Sequence, residues 1–539
     1  MKRIIFAIVL FNLASGLMGC GGAYDANPLP NSSSASSASS AASSTSSSSS
    51  TSSTSSSSAS SSGSGNVHET GGEYEGVGTH PFVAAAFDPL STFAADVDTA
   101  SYDIFRRDLD RFNALPHPDS VRVEEYINNF AYDYPAPESS EPFRISLASA
   151  PNFFNRNTHV LSVGIQASDG EEKAKNLVFL VDRSSSMVAY SKLPLVKVLL
   201  KETLNLLAPA DTVTLVTYTS KVELVLPPTS AAKKSLIEAA IDSIEAQGVT
   251  NGAQGIQMAY EQARAAYING GVNHVILCTD GDFNVGVTST EELIDLIRQE
   301  REGGITFTAL GFGTSGINDA MLEATSNAGD GIYAVISSRD HAVNYVQTRL
   351  ISNLSYVARD MKIQVEFNPQ LVSHYRLIGY ENRAIEDGEF EDDEVDGGEI
   401  GAGHRVTALY ELVLKDSALP EIENAPAVVE GEDYSGPVSV ASDDYVLVKV
   451  RYKPVDAVSD DPALEVSASL KSLAAELDAA DEDLRWAVAM AAFAEILKGS
   501  PFAERAYLEQ IGVIFQEQRE RDADRAEFYR LYQRALPNL

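Results

Sequence analysis

Residues 176–186 read NLVFLVDRSSS. Five apolar residues, Leu177 to Val181, run without alternation and stop at Asp182. Such a run is too short for a helix of its own, and it lacks the polar face of a half-exposed strand. It predicts a strand buried on both sides, the kind found inside a parallel sheet. The surrounding chain supplies the covering helices. Lys192 to Leu207 puts Leu195, Val196, Leu199, Leu200, Leu204 and Leu207 on one helical face, with Pro194 tolerated in the first turn. Helices are also predicted over Lys233 to Ile244 and over Asn251 to Ile268, the latter with Ile256, Tyr260, Ala263 and Tyr267 on one face. DTVTLVTYT (211–219), KVELVLP (221–227), HVILCTD (274–280), ITFTALGFG (305–313) and GIYAVIS (331–337) read as strands, and HVLSVGIQA (159–167) as an edge-like one. Strands alternating with helices imply an α/β, Rossmann-like, doubly wound and mostly parallel sheet with helices on both faces.

Three chemically distinctive pieces fall at the ends of these strands or the starts of these helices. Asp182-Arg183-Ser184-Ser185-Ser186 follows the buried run, Thr250 lies in GVTNG at a helix start, and Asp280 follows HVILCT. Ligands in open α/β sheets bind at that rim. Two carboxylates with Ser184, Ser186 and Thr250 form a hard-oxygen donor set. It suits Mg²⁺ first, with Mn²⁺ or Ca²⁺ as alternatives, and not Zn²⁺, which prefers nitrogen and sulfur. Because hydroxyls are neutral, they leave a bound ion electron-poor. A coordination place then stays open for an Asp or Glu from outside.

The pattern Asp-x-Ser-x-Ser, then Thr, then Thr-Asp-Gly resembles the metal-ion-dependent adhesion site of von Willebrand factor type A domains. The resemblance implies hydroxyl ligands at Ser184, Ser186 and Thr250, and carboxylate ligands, direct or through water, at Asp182 and Asp280. Ser185 stands where the family usually has Gly, and Arg183 where it often has an apolar residue. Outside this domain, STFAADVDTASYDIFRRDL (91–109), VRVEEYINNFAYDYP (121–135), RDMKIQVEFNPQLVSHYRLIGYENR (359–383) and GAGHRVTALYE (401–411) resemble the flanking regions of a bacterial lipoprotein family with a central type A domain. Some members are labelled chloride-channel homologues, but nothing in this sequence could form a pore.

The N-terminus reads as a targeting segment. Lys2 and Arg3 precede an apolar stretch, Ile4 to Leu17, too short to count as a spanning helix, and Leu17-Met18-Gly19-Cys20 resembles a lipobox whose cysteine is acylated. Gly21 after that cysteine points to the outer membrane. Residues 31 to about 65 are nearly all Ser with Ala, Thr and Gly, a composition that cannot bury a core. As a flexible tether of ~35 residues it spans roughly 30–35 Å. The expected organisation is a signal peptide over 1–19, lipidated Cys20 and tether over 20–80, an α+β N-terminal region over 81–150, the α/β domain over 151–355, and a β-rich then helical region over 356–539.

The chain of 539 residues carries 76 acidic and 40 basic residues, a formal net charge of −36. That surface repels nucleic-acid phosphates, so DNA or RNA binding is not expected. Only Cys20 and Cys278 are present, and Cys278, inside HVILCTD, reads as core filling. Asp96, Asp98, Thr99 and Ser101 read as helix-capping chemistry, Glu124 and Glu125 as surface or interdomain contacts, Glu386 to Glu399 as a solvated acidic loop, and His404 as structural. No GxSxG, HExxH or phosphate-binding loop occurs. These features predict a non-enzymatic, metal-dependent protein-binding module in the cell envelope, its body in the periplasm or at the cell surface. Its partner would be a protein offering Asp or Glu, and a small-molecule substrate is not expected. The alternatives are an envelope scaffold with a structural metal, and an unrecognised hydrolase.

Overall fold

In the computed structural model, Leu177 to Val181 lie at the centre of a six-stranded sheet. The strand Lys175–Asp182 pairs in parallel with Val272–Thr279 on one side and Thr212–Tyr218 on the other. Thr306–Phe312 and Tyr333–Ile336 extend the first side in parallel, and Val222–Ser230 closes the other edge antiparallel. Residues described are 74–539, except 96–97, 139–140, 153–156, 250–252, 282–289, 315, 394, 396, 456, 458–460, 475 and 477–480. Cys20, the leader and the Ser-rich tether therefore lie outside the described residues, as does Thr250. Among the described residues no helix is long and apolar enough to cross a membrane.

The two-residue period of a strand divides the central run between two cores. Leu177, Phe179 and Val181 pack with Leu195, Val196 and Leu199 of the helix Leu193–Leu206. Val178 and Leu180 face Ile256, Ala259 and Tyr260 of the helix Ala253–Ala265. Cys278 is fully buried in the first of these cores, where burial pushes its thiol far above the usual range. The expected α/β class, with a mostly parallel sheet and flanking β-rich and helical regions, is the architecture observed.

The strand His159–Ala167 is not an edge. It lies between Arg405–Leu414 and Phe143–Pro151 in a separate antiparallel sheet of five strands, completed by Val372–Ile378 and Val83–Ala84. A second antiparallel sheet runs Ala384–Ile385, Leu90–Ala94, Tyr356–Phe367, Val446–Pro454, Leu464–Leu470. The two share one core, in which Phe93, Leu161, Val365, Tyr410 and Val448 are all buried. Burial against a partner sheet drew this strand away from the α/β unit.

A third assembly joins the two ends of the described chain. Helices Ala100–Phe112 and Val123–Asn128 pack with Glu482–Lys498, Leu508–Gln518 and Ala523–Ala535. Trp486 sits among Phe130, Phe515 and Phe528, with ring centroids 5.1, 5.0 and 5.7 Å away. The helix Glu482–Lys498 buries nearly all of its circumference, not one face alone.

Buried ion pairs bind the flanking regions to one another and to the α/β unit. Asp98 does not cap a helix: it pairs with Arg383 at 3.0 Å and accepts the Tyr333 N–H at 2.9 Å. Thr99 occupies the N-cap position without a side-chain cap bond, and Ser101 Oγ donates to the Ser120 carbonyl at 2.6 Å. Asp96 lies outside the described residues. Glu124 and Glu125 are interior, and of the two alternatives expected for them Glu124 makes the interdomain contact: it accepts the Tyr380 N–H at 2.9 Å, while Glu125 accepts the Ser101 N–H at 2.7 Å and pairs with Arg122. Arg122 also reaches Asp319 at 2.8 Å and Glu323 at 3.2 Å, on the helix Asp319–Ala328 of the α/β unit. The acidic stretch is likewise not simply solvated: Asp393 pairs with Arg451 at 2.8 Å, and Gly398–Gly401 form a strand. His404 is partly buried, and desolvation lowers its pKa to about 3.

Trp486→Ala empties the centre of the aromatic cluster. It should cost about 3–5 kcal/mol in denaturant melts, and because this core joins both ends of the described chain, the loss should appear as one shifted transition.

Candidate metal centre

The order of the central sheet creates the site. The chain winds outward from Lys175–Asp182 to Thr212–Tyr218 and Val222–Ser230. It then crosses back to Val272–Thr279 on the other side of the first strand. The loops leaving Lys175–Asp182 and Val272–Thr279 thus diverge, and a crevice opens at their carboxyl ends. Val181 is in register with Cys278, so Asp182 and Asp280 emerge side by side at that crevice.

Asp182 is fully buried. Its Oδ1 accepts the Ser184 N–H at 2.7 Å, and its Oδ2 accepts from Thr279 Oγ1 at 3.4 Å. Burial, with the Asp280 charge as a smaller contribution, raises its pKa to about 6 despite the hydrogen bonds to Ser184. The Ser184 and Ser186 hydroxyls lie 2.8 Å apart. The Ser185 N–H donates to the Gly248 carbonyl at 2.9 Å, and the Gln247 N–H to the Arg183 carbonyl at 2.7 Å, so the segment that leads to Thr250 runs beside the Asp182–Ser186 turn. Asp280 is buried as well. Its Oδ2 accepts from Lys192 Nζ at 2.7 Å, while its Oδ1 has no hydrogen-bond partner among the described residues. Gly281 follows with φ +100, and a Cβ there would lie 2.6 Å from the Gly316 carbonyl oxygen and from Ile317 Cα, so only glycine fits.

Of the five residues expected as ligands, four are described, and the fold brings them to one rim: Asp182, Ser184, Ser186 and Asp280. The donors fit a hard divalent cation. Among the described residues two buried carboxylates face one lysine, which leaves a net negative charge, and one carboxylate oxygen has no partner where burial makes that costly. Among the described residues no three carboxylate, imidazole or thiol side chains converge, so the remaining donors at this rim are hydroxyls. The sequence reading missed Lys192. A lysine just before an amphipathic helix carries no signal of its own, and only its position opposite the end of the Val272–Thr279 strand marks it.

The site is a rim and not a pocket. Concavities of about 290 and 610 Å³ lie where the α/β unit meets the flanking regions, around Asn353 and His404. Neither includes any of the four described site residues.

Three family models match the chain in succession: von Willebrand factor over residues 68–162, von Willebrand factor type A domain over 176–349, and "Uncharacterized protein YfbK, C-terminal" over 352–536. The central unit is thus a type A domain, set between an N-terminal domain and a YfbK-type C-terminal domain. The "Uncharacterized protein YfbK" of Escherichia coli (strain K12) is 35% identical over 476 residues, 86% of this chain and 80% of that protein. The chain belongs to the YfbK family. It is also 30% identical over 165 residues to inter-alpha-trypsin inhibitor heavy chain H4 of Bos taurus, covering 29% of this chain and 18% of that one. Among solved structures, a von Willebrand factor type A protein from Catenulispora acidiphila superposes with a TM-score of 0.40 at 16% identity, covering 76% of this chain and 88% of that chain.

The raised Asp182 pKa sets a sign for stability against pH. Because the folded value, about 6, lies above the unfolded one, this group's contribution is fully present below pH 3.8 and is lost as pH rises through 6. In chelator, Asp182→Asn should therefore stabilise the chain at pH 7.5 by roughly 3 kcal/mol. The gain should shrink towards zero near pH 4, as read from thermal melts across that range.

Proposed function

We propose that this rim holds a divalent cation, Mg²⁺ first with Mn²⁺ or Ca²⁺ as alternatives, and that the ion binds an acidic side chain of a protein partner. Ser184, Ser186 and Thr250 would supply neutral hydroxyl ligands, and Asp182 and Asp280 carboxylates, direct or through water. The ion would supply Lewis acidity towards an incoming carboxylate. The observation that carries the reading is Asp280 Oδ1, without a partner among the described residues and buried next to a second carboxylate at the switch point of the sheet. The protein's own part is to hold the donors. The Ser184 N–H fixes the Asp182 rotamer, and the 247–249 segment backs the serine turn.

Exposed large apolar side chains lie close in sequence to the residues of this rim. Val188 and Tyr190 follow Ser186 and are each 73% exposed, and Val249, next to Thr250, is 77% exposed. A polar, metal-bearing centre with exposed apolar groups close in sequence suits a protein surface more than a small substrate. In this reading the function is adhesion without catalysis. Cys20 carries the lipid anchor, the Ser-rich segment is the tether, and the folded body stands in the periplasm or at the cell surface, with the outer membrane as its base. The division into leader, tether, N-terminal region, α/β domain and C-terminal region belongs to the same proposal.

A second reading draws on the Arg122–Asp319–Glu323 pairs, which lock the N-terminal flank to the α/β unit, and the Asp98–Arg383 pair, which locks the two flanks together. The chain would then be a rigid envelope scaffold in which the metal is structural. Crosslinked pull-down from membranes separates the two. For adhesion, captured protein should disappear with chelator and with Asp182→Ala, return on adding Mg²⁺ to the wild type, and fall with Val188→Ser/Tyr190→Ser. For a scaffold, Asp182→Ala should lower the melting temperature while capture per folded molecule persists.

A further inference from the structure

Lys192 is a charged residue at the rim that the metal reading leaves unused, and its placement is built rather than incidental. Its backbone stands just before the helix Leu193–Leu206, with its N–H donating to the Ala189 carbonyl at 3.0 Å. Its ammonium reaches across to Asp280 Oδ2 at 2.7 Å, and the side chain is only 16% exposed. The stem lies over Gly313, at the end of the neighbouring strand Thr306–Phe312. A Cβ on Gly313 would stand 2.9 Å from Lys192 Cε and 3.3 Å from Cγ, and Gly313 has φ +122. A side chain there would push the lysine off its track. Three elements thus converge: a helix start holds the backbone, a glycine leaves a channel for the stem, and a buried carboxylate receives the charge.

We propose that Lys192 is a tethered counter-cation of the metal centre, which neutralises Asp280 when no ion is bound and lowers the affinity of the site for divalent ions. The inference rests on the metal reading above. Asp280 and Asp182 are both buried and repel each other, so the ion-free rim needs positive charge, and Lys192 provides it. A divalent ion drawn to the free Oδ1 shares that carboxylate with an ammonium already in place. Two cations at one carboxylate repel strongly where water is scarce. The ion must therefore displace the ammonium from Asp280, and that displacement raises the concentration of metal needed for occupancy. A rim without Lys192 would hold its ion tightly but would expose two uncompensated carboxylates whenever the ion left.

The test is Mn²⁺ titration of the full chain by calorimetry, comparing the wild type with Lys192→Met, which keeps the reach without the charge, and Lys192→Arg, which keeps the charge. Lys192→Met should bind Mn²⁺ about tenfold more tightly or better, and Lys192→Arg should stay near the wild type. In chelator the melting temperature of Lys192→Met should fall below that of the wild type, and saturating Mn²⁺ should close the gap. A second measurement needs no variant: acetylation of Lys192 by an amine-reactive ester, followed by mass spectrometry, should be slow in chelator and faster with Mn²⁺. Equal Mn²⁺ affinity in wild type and a folded Lys192→Met, or labelling that Mn²⁺ binding does not change, contradicts the role given to Lys192 alone. Absence of Mn²⁺ binding in both chains, with their folds intact, contradicts the metal reading itself.

Discussion

Two buried carboxylates at the ends of adjacent parallel strands are the constraint on which the rest depends. Asp182 and Asp280 stand together because the strands that carry them are neighbours in register, and those strands are neighbours because the chain reverses its winding there. Apolar packing on both faces of the sheet sets that arrangement, through Leu177, Phe179 and Val181 on one side and Val178 and Leu180 on the other. Hydrophobic burial is the large favourable term and is indifferent to what stands at the strand ends. The carboxylates are thus held at a position they would not choose, and the fold must compensate them with hydrogen bonds and positive charge. Backbone and hydroxyl donors serve Asp182, Lys192 serves one oxygen of Asp280, and the other oxygen has no partner among the described residues.

The flanking regions bear on the same point through a short run of contacts. Gly281, next to Asp280, packs so closely on Gly316 to Asn318 that no side chain fits between them. That segment leads directly into Asp319, which accepts from the Arg122 guanidinium of the N-terminal region. Arg122 is held in turn by Glu125, next in sequence to the Glu124 that accepts from Tyr380. The rim is therefore backed by a buried ion network reaching both flanks. Removing one member of such a network leaves its partners charged and dry, which costs more than the pair contributed. Type A domain and flanks behave as one mechanical body on this account.

The central domain was legible in the sequence because its signals are local. An unbroken apolar run closed by Asp182, amphipathic helices of ordinary length, and hydroxyls at fixed offsets all read within short windows, and Cys278 in HVILCTD declared itself as core. What was not legible depends on partners far along the chain. HVLSVGIQA looks like an α/β edge strand until Arg405–Leu414, more than two hundred residues on, pairs with it in register. Asp98 looks like a cap until Arg383 and the Tyr333 N–H claim its oxygens. Glu124 and Glu125 read as surface or interdomain contacts, and only their partners, Tyr380 and Ser101, decide between the two. Lys192 was missed for the same reason, since its meaning lies entirely in Asp280 and Gly313. Thr250 and Cys20 lie outside the described residues and stand as the sequence and the family resemblance present them.

The central claim is that Asp280 Oδ1 and the paired serine hydroxyls form a cation site. Anomalous diffraction from crystals of the protein soaked in Mn²⁺ tests it most directly. The account predicts one strong peak within coordination distance of the Ser184 and Ser186 hydroxyls, with Asp182 and Asp280 around it directly or through water. A fully soaked crystal with no anomalous density at this rim, or with the ion bound only elsewhere, would contradict it.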